Sequence, residues 1–383
     1  MGRLAIVLLL FLWEWCPKAG AQNAYANSLI KEIAALQTAQ QTDFYEAGMF
    51  PSQRIYRSLP RPSREDDNIF FTGLIVWTLK SIRSQLNEKN RAIVDAITQK
   101  AVVNYGRYQN KDGRPVYNFW QTNPSRHFPN SRYFSSRKKY IIPDDLDDTA
   151  ILYLSTGISD SLRAIVRQLM AENANGRKRR VRNTLKRYKG FPAYSTWFGK
   201  NMPVDFDICV QANAMRFVLD EQLPLNRYDS ATLELMTSMV KRDEHLKRAA
   251  FVSPHYQNRS IILYHLARLV AAHETHPLLQ PLKPLLIEDL QRQWRVTGND
   301  MERILLQTSL LKLGAKQGLR IIPSKKDLAS FYFFVANMTS VFPNPIKGFF
   351  VKSRVTNFFY RSDAYYLALL LENEMLRLGK ELS

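Results

Sequence analysis

Cysteine is scarce in this sequence, which holds only Cys16 and Cys209. So small a number excludes a miniature scaffold held together by several disulfides. The 383 residues, 45% of them hydrophobic, are enough to bury a large core instead. Because Cys209 lies among apolar residues, we expect a small buried side chain there and not a nucleophile.

Long apolar runs are missing beyond residue 21. The longest, from Phe331 to Phe342, is interrupted by Asn337 and is shorter than the roughly 18 to 20 residues that span a bilayer. The composition is typical of a soluble globular protein with one large or two smaller domains.

The chain has fewer acidic than basic residues. The chain has 34 Asp and Glu against 54 Lys and Arg, a formal net charge of +20, and the excess is spread along its length. This balance predicts a basic surface that faces an anionic partner. Nucleic acid is not the expected partner, because no recognisable nucleic-acid-binding module is present.

The first 21 residues have the pattern of a secretory signal peptide. A basic residue precedes the apolar stretch Leu4 to Trp13, and Ala19 and Ala21 stand where a signal peptidase cleaves. We therefore predict removal of residues 1–21 and export to the periplasm or the extracellular space, with 22–383 as one domain.

Helical periodicity runs through the rest of the chain with almost no alternating strand pattern, which predicts an all-α fold. Six segments share one design, in which polar residues and a small residue precede two or three apolar turns. They begin near Asp66, Asp147, Asp207, Arg259, Asp300 and Ser362. Because these segments are apolar almost all round, we expect them inside a ring of other helices.

Six further segments are amphipathic, each with a charged face. They lie near 26–42, 86–105, 160–172, 228–243, 278–293 and 326–338. Alternation of six outer with six inner helices predicts a single (α/α)6 toroid. The alternative is an open solenoid of helical hairpins. Polar residues at the start of every inner helix favour the closed ring, in which they would share a common space.

Two connections are too long to be simple links. The first, 104–143, carries Trp120, and the second, 175–204, carries Trp197 and a run of cations that begins at Arg177. Loops of this length in compact domains are usually functional. We therefore expect both to border a site beside the inner helices that follow them.

The sharpest motif is acidic and opens the second inner segment. Residues 143–150 read Pro-Asp-Asp-Leu-Asp-Asp-Thr-Ala. From Asp145 onward this resembles the Asp-x-Asp-Asp-Thr-Ala signature of class II terpene cyclases, members of the terpenoid cyclase and prenyltransferase α/α-toroid superfamily. The resemblance implies that Asp147 protonates an alkene or epoxide and starts a carbocation cascade.

The residue types are consistent with this chemistry. A carboxyl group donates a proton at neutral pH only when its pKa is raised, and the like charges of Asp145 and Asp148 would raise the pKa of Asp147 in a dry cavity. Aromatic ring faces stabilise cations. The aromatic residues assigned to this role include Trp120, Trp197 and Tyr256.

A purely structural interpretation of the acidic motif is also open. Aspartates before an apolar run commonly cap a helix, with Asp145 or Asp144 as the cap and Asp148 near the third helical position. In that case the motif carries no chemistry.

A second polar group precedes the third and fourth inner segments. Asp207 and Asn213 fall early in a helix, and His255 titrates near neutrality, so that it could act as an acid or base or form one structural hydrogen bond. We predict that Asp67, Asp147, Asp207 and Asn213 reach one cavity. The predicted substrate-binding residues are Trp120, Trp197, Asp207, Asn213, His255 and Tyr256. We predict no metal site, because the histidines lack a carboxylate cluster at ligand spacing, and no cofactor.

Three classes of function remain open from the sequence. The first is cyclisation or binding of an isoprenoid or lipid. The second is a polysaccharide lyase or glycoside hydrolase acting on an envelope glycan, because paired carboxylates cleave glycosides and aromatic faces stack on sugars. The third is a non-catalytic basic protein that contacts an anionic membrane surface or glycan through Arg177 to Arg187.

Overall fold

A computed structural model describes residues 24–56, 63–128, 138–199, 202–315, 318–337, 342–351 and 357–381. The predicted signal peptide, residues 1–21, lies outside these ranges, and export stays a prediction. Within the described ranges, no helix combines the length and the apolar character needed to cross a membrane.

Helices make up most of the described chain. In order they are α1 (24–36), α2 (Phe70–Ile82), α3 (Glu88–Val102), α4 (Leu146–Thr156), α5 (Asp160–Asn173), α6 (Ile208–Asp220), α7 (Arg227–Lys241), α8 (Glu244–Lys247), α9 (Ala249–Val252), α10 (Arg259–Ala272), α11 (Leu282–Val296), α12 (Asp300–Lys312), α13 (Lys325–Ser330), α14 (Ile346–Phe350) and α15 (Asp363–Glu381).

Six of these helices form the centre of the molecule. Contacts join α2 to α4, α4 to α6, α6 to α10, α10 to α12, α12 to α15, and α15 to α2. Their side chains are buried on nearly every face, as expected for apolar segments with neighbours on all sides. At the α2–α4 contact a Cβ built on Gly73 would lie 2.7 Å from Cδ2 of Leu152, so the absence of a side chain there permits the close approach.

The amphipathic helices cover this centre. α3 packs on α2, α7 on α6 and α11 on α10, each with its charged face outward. Polar caps define where two of them begin: Asn87 caps α3, and Asn226 forms a capping box with Asp229 in α7.

A four-stranded antiparallel sheet accompanies the helices. Its strands are β1 (Ser52–Tyr56), β2 (Ser63–Asp66), β3 (Phe334–Asn337) and β4 (Asn357–Arg361), in the spatial order β2-β1-β4-β3. Gln53 pairs with Arg361, and Phe334 pairs with Tyr360. The sheet therefore joins segments that are about 300 residues apart in sequence.

The prediction of an all-α (α/α)6 toroid is wrong. The sheet excludes the all-α class, and it excludes the all-α solenoid as well. The segment 326–338, predicted as the sixth outer helix, instead contains most of the short helix α13 and then strand β3. The physical reason is tertiary pairing. Phe334 and Val335 are good strand formers that pair with β4, and the local periodicity of a sequence carries no information about a partner strand elsewhere in the chain.

Candidate functional site

A cavity lies where α2, α4 and α6 begin, beside the segment that precedes α10. Its volume is about 210 Å³. Phe70 of α2, Asp147 of α4 and Val210 of α6 line it from the helices. The sheet closes another side with Phe334 and Tyr360.

Both long loops contact the start of α4. The backbone N–H of Asp145 donates to the carbonyl of Tyr117 at 3.0 Å, and that of Leu146 donates to the carbonyl of Thr196 at 2.8 Å. The acidic motif is thus held between the two loops, and each loop contributes a tryptophan, Trp120 or Trp197, to the cavity wall.

Asp145 is the N-cap of α4. Its Oδ1 accepts the backbone N–H of Asp148 at 2.8 Å, and Asp148 stands at the third helical position. The capping interpretation of Asp145 is therefore confirmed. It does not account for Asp147, whose side chain takes no part in the cap and lines the cavity.

Asp147 is buried, and two donors bind its carboxyl group. Asn213 Nδ2 donates to Oδ1 at 2.7 Å, and the phenolic O–H of Tyr256 donates to Oδ2. Burial raises the pKa of Asp147 to about 7; the two hydrogen bonds oppose this rise, and the charges of Asp145 and Asp207 add to it. Near neutral pH a substantial fraction of Asp147 is therefore protonated.

The neighbouring carboxyl groups are shifted in the same direction. Burial raises the pKa of Asp145 to about 6. Burial, followed by the charges of Asp145 and Asp147, raises the pKa of Asp148 well above its usual value. Oδ1 of Asp148 is buried without a hydrogen-bond partner among the described residues.

Aromatic rings form most of the remaining wall. Phe119 and Phe334 stack with centroids 5.6 Å apart, and Phe70 lies 5.7 Å from Phe334. Trp120 is fixed by a hydrogen bond of 2.9 Å from its Nε1 to Oδ1 of Asp66. The polar groups on the wall include Thr196, His255 and Asn337 beside the three aspartates.

His255 contributes a titratable ring to this wall. Its Nε2 lies 3.2 Å from Oδ2 of Asp205, and its ring stacks on Phe334 at a centroid distance of 6.1 Å. Burial by itself lowers the pKa of His255, but the hydrogen bond and charge of Asp205, together with the charge of Asp207, raise it overall. His255 is therefore held as a partner of a carboxylate.

The structure brings the predicted site residues together only in part. Asp145, Asp147, Asp148, Trp120, Trp197 and His255 line the cavity. Asn213 and Tyr256 reach it through their hydrogen bonds to Asp147.

Two of the predicted polar residues have other partners. Asp207 caps α6 with Oδ1 and accepts the backbone N–H of His255 with Oδ2 at 2.8 Å. Asp67 forms an ion pair with Arg126 at 3.1 Å. Neither lines the cavity, so the expectation of one cavity for Asp67, Asp147, Asp207 and Asn213 holds directly for Asp147 alone.

Several aromatic residues of the wall were missed from the sequence, among them Phe70, Phe334 and Tyr360. Phe70 is the first residue of α2, and the acidic motif stands at the start of α4. This shared position at the start of an inner helix could have predicted that Phe70 faces the same cavity. Phe334 and Tyr360 belong to the sheet, and no local pattern indicated their place. Cys209 is buried as predicted, and burial raises the pKa of its thiol.

A second acidic group lies on α11 and near α8. Ligand atoms of Asp243, His245 and Asp289 lie within 4.8 Å of one another. Arg292 donates to Asp243 at 3.2 Å and also to Asp289, and Nε2 of His245 lies 2.8 Å from Asp289. The arginine and histidine account for the approach of the two carboxylates without a metal ion.

Comparison with known proteins does not assign this chain to a family. No family model matches the chain, and no curated protein matches its sequence.

Proposed function

We propose that the protein is an acid-initiated isoprenoid cyclase in which Asp147 is the proton donor. The observation that carries the proposal is the position of Asp147, a buried carboxyl group in a cavity whose wall is mainly aromatic. Its pKa of about 7 leaves it able both to hold and to release a proton near neutrality.

The proposed reaction transfers one proton and conserves atoms. The O–H bond of Asp147 breaks as a C–H bond forms at the less substituted carbon of a double bond, which leaves a tertiary cation. An internal alkene then attacks that cation and forms the ring. Loss of a proton to solvent ends the reaction, so the product is an isomer of the substrate, and water returns a proton to Asp147.

The hydrogen bonds on Asp147 support this role. Asn213 and Tyr256 each donate to one carboxyl oxygen and therefore stabilise the carboxylate that remains after proton transfer. The rings of Phe119, Phe334 and Trp120 line the cavity, and aromatic rings stabilise cations.

The same cavity favours a hydrocarbon over a sugar. A glycan would require hydrogen-bond partners for many hydroxyl groups, whereas most of the surface of the described wall is apolar. The glycan hypothesis stays a prediction from sequence, and we do not propose it as the function.

Turnover of linear isoprenoids in D2O tests the proposal. The purified protein is incubated with farnesol, geranylgeraniol and squalene, and the products are analysed by mass spectrometry. We expect a cyclic isomer that carries one deuterium, because the proton of Asp147 exchanges with solvent before it is transferred. Absence of a cyclic product from all three substrates would remove the proposal.

Two matched variants assign the proton donor. Asp147→Asn keeps the size of the side chain but removes the acidic proton, so we expect turnover to fall by at least 100-fold. Asp144→Asn makes the same change three residues earlier, where the carboxylate binds Asn110 at 2.5 Å and lies off the cavity wall. Per folded molecule, this control is expected to retain turnover.

A further inference from the structure

A dense set of cations lies on the loop 177–189, which we call the basic loop. It contains no acidic residue, and seven of its Lys and Arg residues are exposed. Apolar and amide side chains of the same loop point inward, among them Val181, Asn183 and Tyr188. The loop therefore presents charge on one side and packs with the other.

The backbone of the basic loop is held in place from both ends. Nδ2 of Asn175 donates to the carbonyl of Lys189 at 2.9 Å, and Oδ1 of Asn175 accepts the N–H of Val181 at 2.8 Å. Asn183 donates to Asp205 at 2.8 Å. The exposed cations are therefore attached to a backbone that is fixed by hydrogen bonds.

Few of these cations are neutralised within the protein. Lys178 lies 3.5 Å from Glu172, and Arg187 lies 3.1 Å from Glu244. Among the described residues no ion pair is formed by Arg180, Arg182, Lys186 or Lys189, whereas the charge of Arg177 acts on Glu172. Four uncompensated positive charges on 13 residues form a surface complementary to an anionic layer.

The basic loop is attached to the wall of the cavity. The guanidinium of Arg179 donates to the carbonyls of Gly199 and Met202. Met202 lines the cavity, as does Trp197 shortly before it in the chain. The charged surface and the cavity are therefore parts of one local structure.

We propose that the basic loop docks the protein on an anionic lipid surface. A substrate for the apolar cavity would be stored in a bilayer, and docking beside the cavity would shorten its path. Only this account of why docking occurs rests on the proposed cyclase function. Docking itself rests on the charges and the fixed backbone of the loop.

Vesicle sedimentation tests the docking. The full chain is mixed with vesicles of phosphatidylcholine alone or with about one third phosphatidylglycerol, in the absence of any isoprenoid. Each cation near an anionic surface strengthens binding by roughly five-fold. We expect binding to the anionic vesicles only, and we expect it to weaken as salt is raised because the attraction is screened.

A matched pair of lysine variants assigns the binding to the loop. Lys186→Gln/Lys189→Gln should weaken the partition by roughly 25-fold, from two cations at about five-fold each. Lys89→Gln/Lys100→Gln removes the same charge from exposed positions of α3 and should have a much smaller effect.

Three outcomes would overturn the proposal. They are equal binding to neutral and anionic vesicles, equal loss in the two lysine variants, and binding to heparin without binding to anionic vesicles. Since no substrate is present in these assays, failure to dock is distinguishable from failure of the cyclase proposal, which is measured by isoprenoid turnover.

Discussion

Tyr256 donates its phenolic hydrogen to Oδ2 of Asp147, a residue 109 positions earlier in the chain. This bond links the start of α4 to the segment that precedes α10. Asn213, from α6, holds the other carboxyl oxygen at 2.7 Å. Three separate parts of the chain therefore determine the orientation of one acid, and its protonation can be altered from residues that do not line the cavity.

Removal of the tyrosine hydroxyl should raise the pKa of Asp147 further. The hydrogen bond from Tyr256 stabilises the charged form of the carboxyl group, so Tyr256→Phe is expected to shift its titration to higher pH. NMR titration of the Asp147 carboxyl carbon measures this shift without reference to activity. Tyr264→Phe, which removes a hydroxyl bound to Glu372 instead, is the control and should leave the titration in place.

Stability should fall as pH rises through the range in which the acidic motif titrates. The folded-state pKa of Asp147 is about 7 and that of Asp145 about 6, against about 3.9 for an unfolded aspartate. Through these two groups the folded state binds more protons than the unfolded state between these values, so their contribution to the free energy of unfolding decreases with pH. Denaturant unfolding at about pH 5 and pH 8 measures the decrease.

The contribution of Asp147 to that decrease is separable. Asp147→Asn cannot titrate, so the loss of stability between about pH 5 and pH 8 should be smaller in this variant than in the parent protein. An identical loss in both proteins would show that Asp147 is already charged in the folded state throughout this range.

The cap of α4 makes a separate prediction about stability. Asp145→Ala removes the oxygen that accepts the N–H of Asp148, and it should cost about 0.5 to 2 kcal/mol of unfolding free energy. Asp145→Asn keeps an acceptor oxygen at the cap and should lose much less. Equal losses would mean that the charge, and not the cap, is what stabilises this end of the helix.

Replacement of Gly73 by a larger residue should destabilise the protein. The Cβ of an alanine would lie 2.7 Å from Leu152 and 3.1 Å from Ile151, both fully buried, so Gly73→Ala should cost about 1 to 3 kcal/mol. Gly106→Ala is the control, since nothing lies within 4 Å of its added Cβ. Thermal or denaturant unfolding of the two variants checks the difference.

Helix positions were the most predictable part of the fold. The apolar run that follows Asp147 and the amphipathic pattern of 160–172 correspond to α4 and α5, because helical burial leaves a local record every three to four residues. The strands of the sheet produced no comparable periodic pattern in the sequence. Strand β2 is the charged tetrapeptide Ser63–Asp66, which is a strand only because β1 lies beside it.

The candidate site was predictable to the extent that its residues are local. Asp145, Asp147 and Asp148 stand in one motif, and their position at a helix start followed from the pattern alone. The partnership of Asp147 with Tyr256 did not, because it depends on how distant segments pack. Asp207 shows the opposite case, a promising motif residue whose oxygens are occupied by the backbone and by Ser253.

The pairing of β1 with β4 has a consequence for the order in which the molecule forms. Tyr360 completes the cavity wall from β4, whose partner strand β1 lies about 300 residues earlier. During synthesis the edge of β1 that pairs with β4 stays unpaired until β4 has left the ribosome. Until then the rings of Phe119 and Phe334 also lack Tyr360 as a neighbour. The pocket therefore closes late, and a nascent chain arrested before residue 357 would present an open aromatic surface to any chaperone at the exit tunnel.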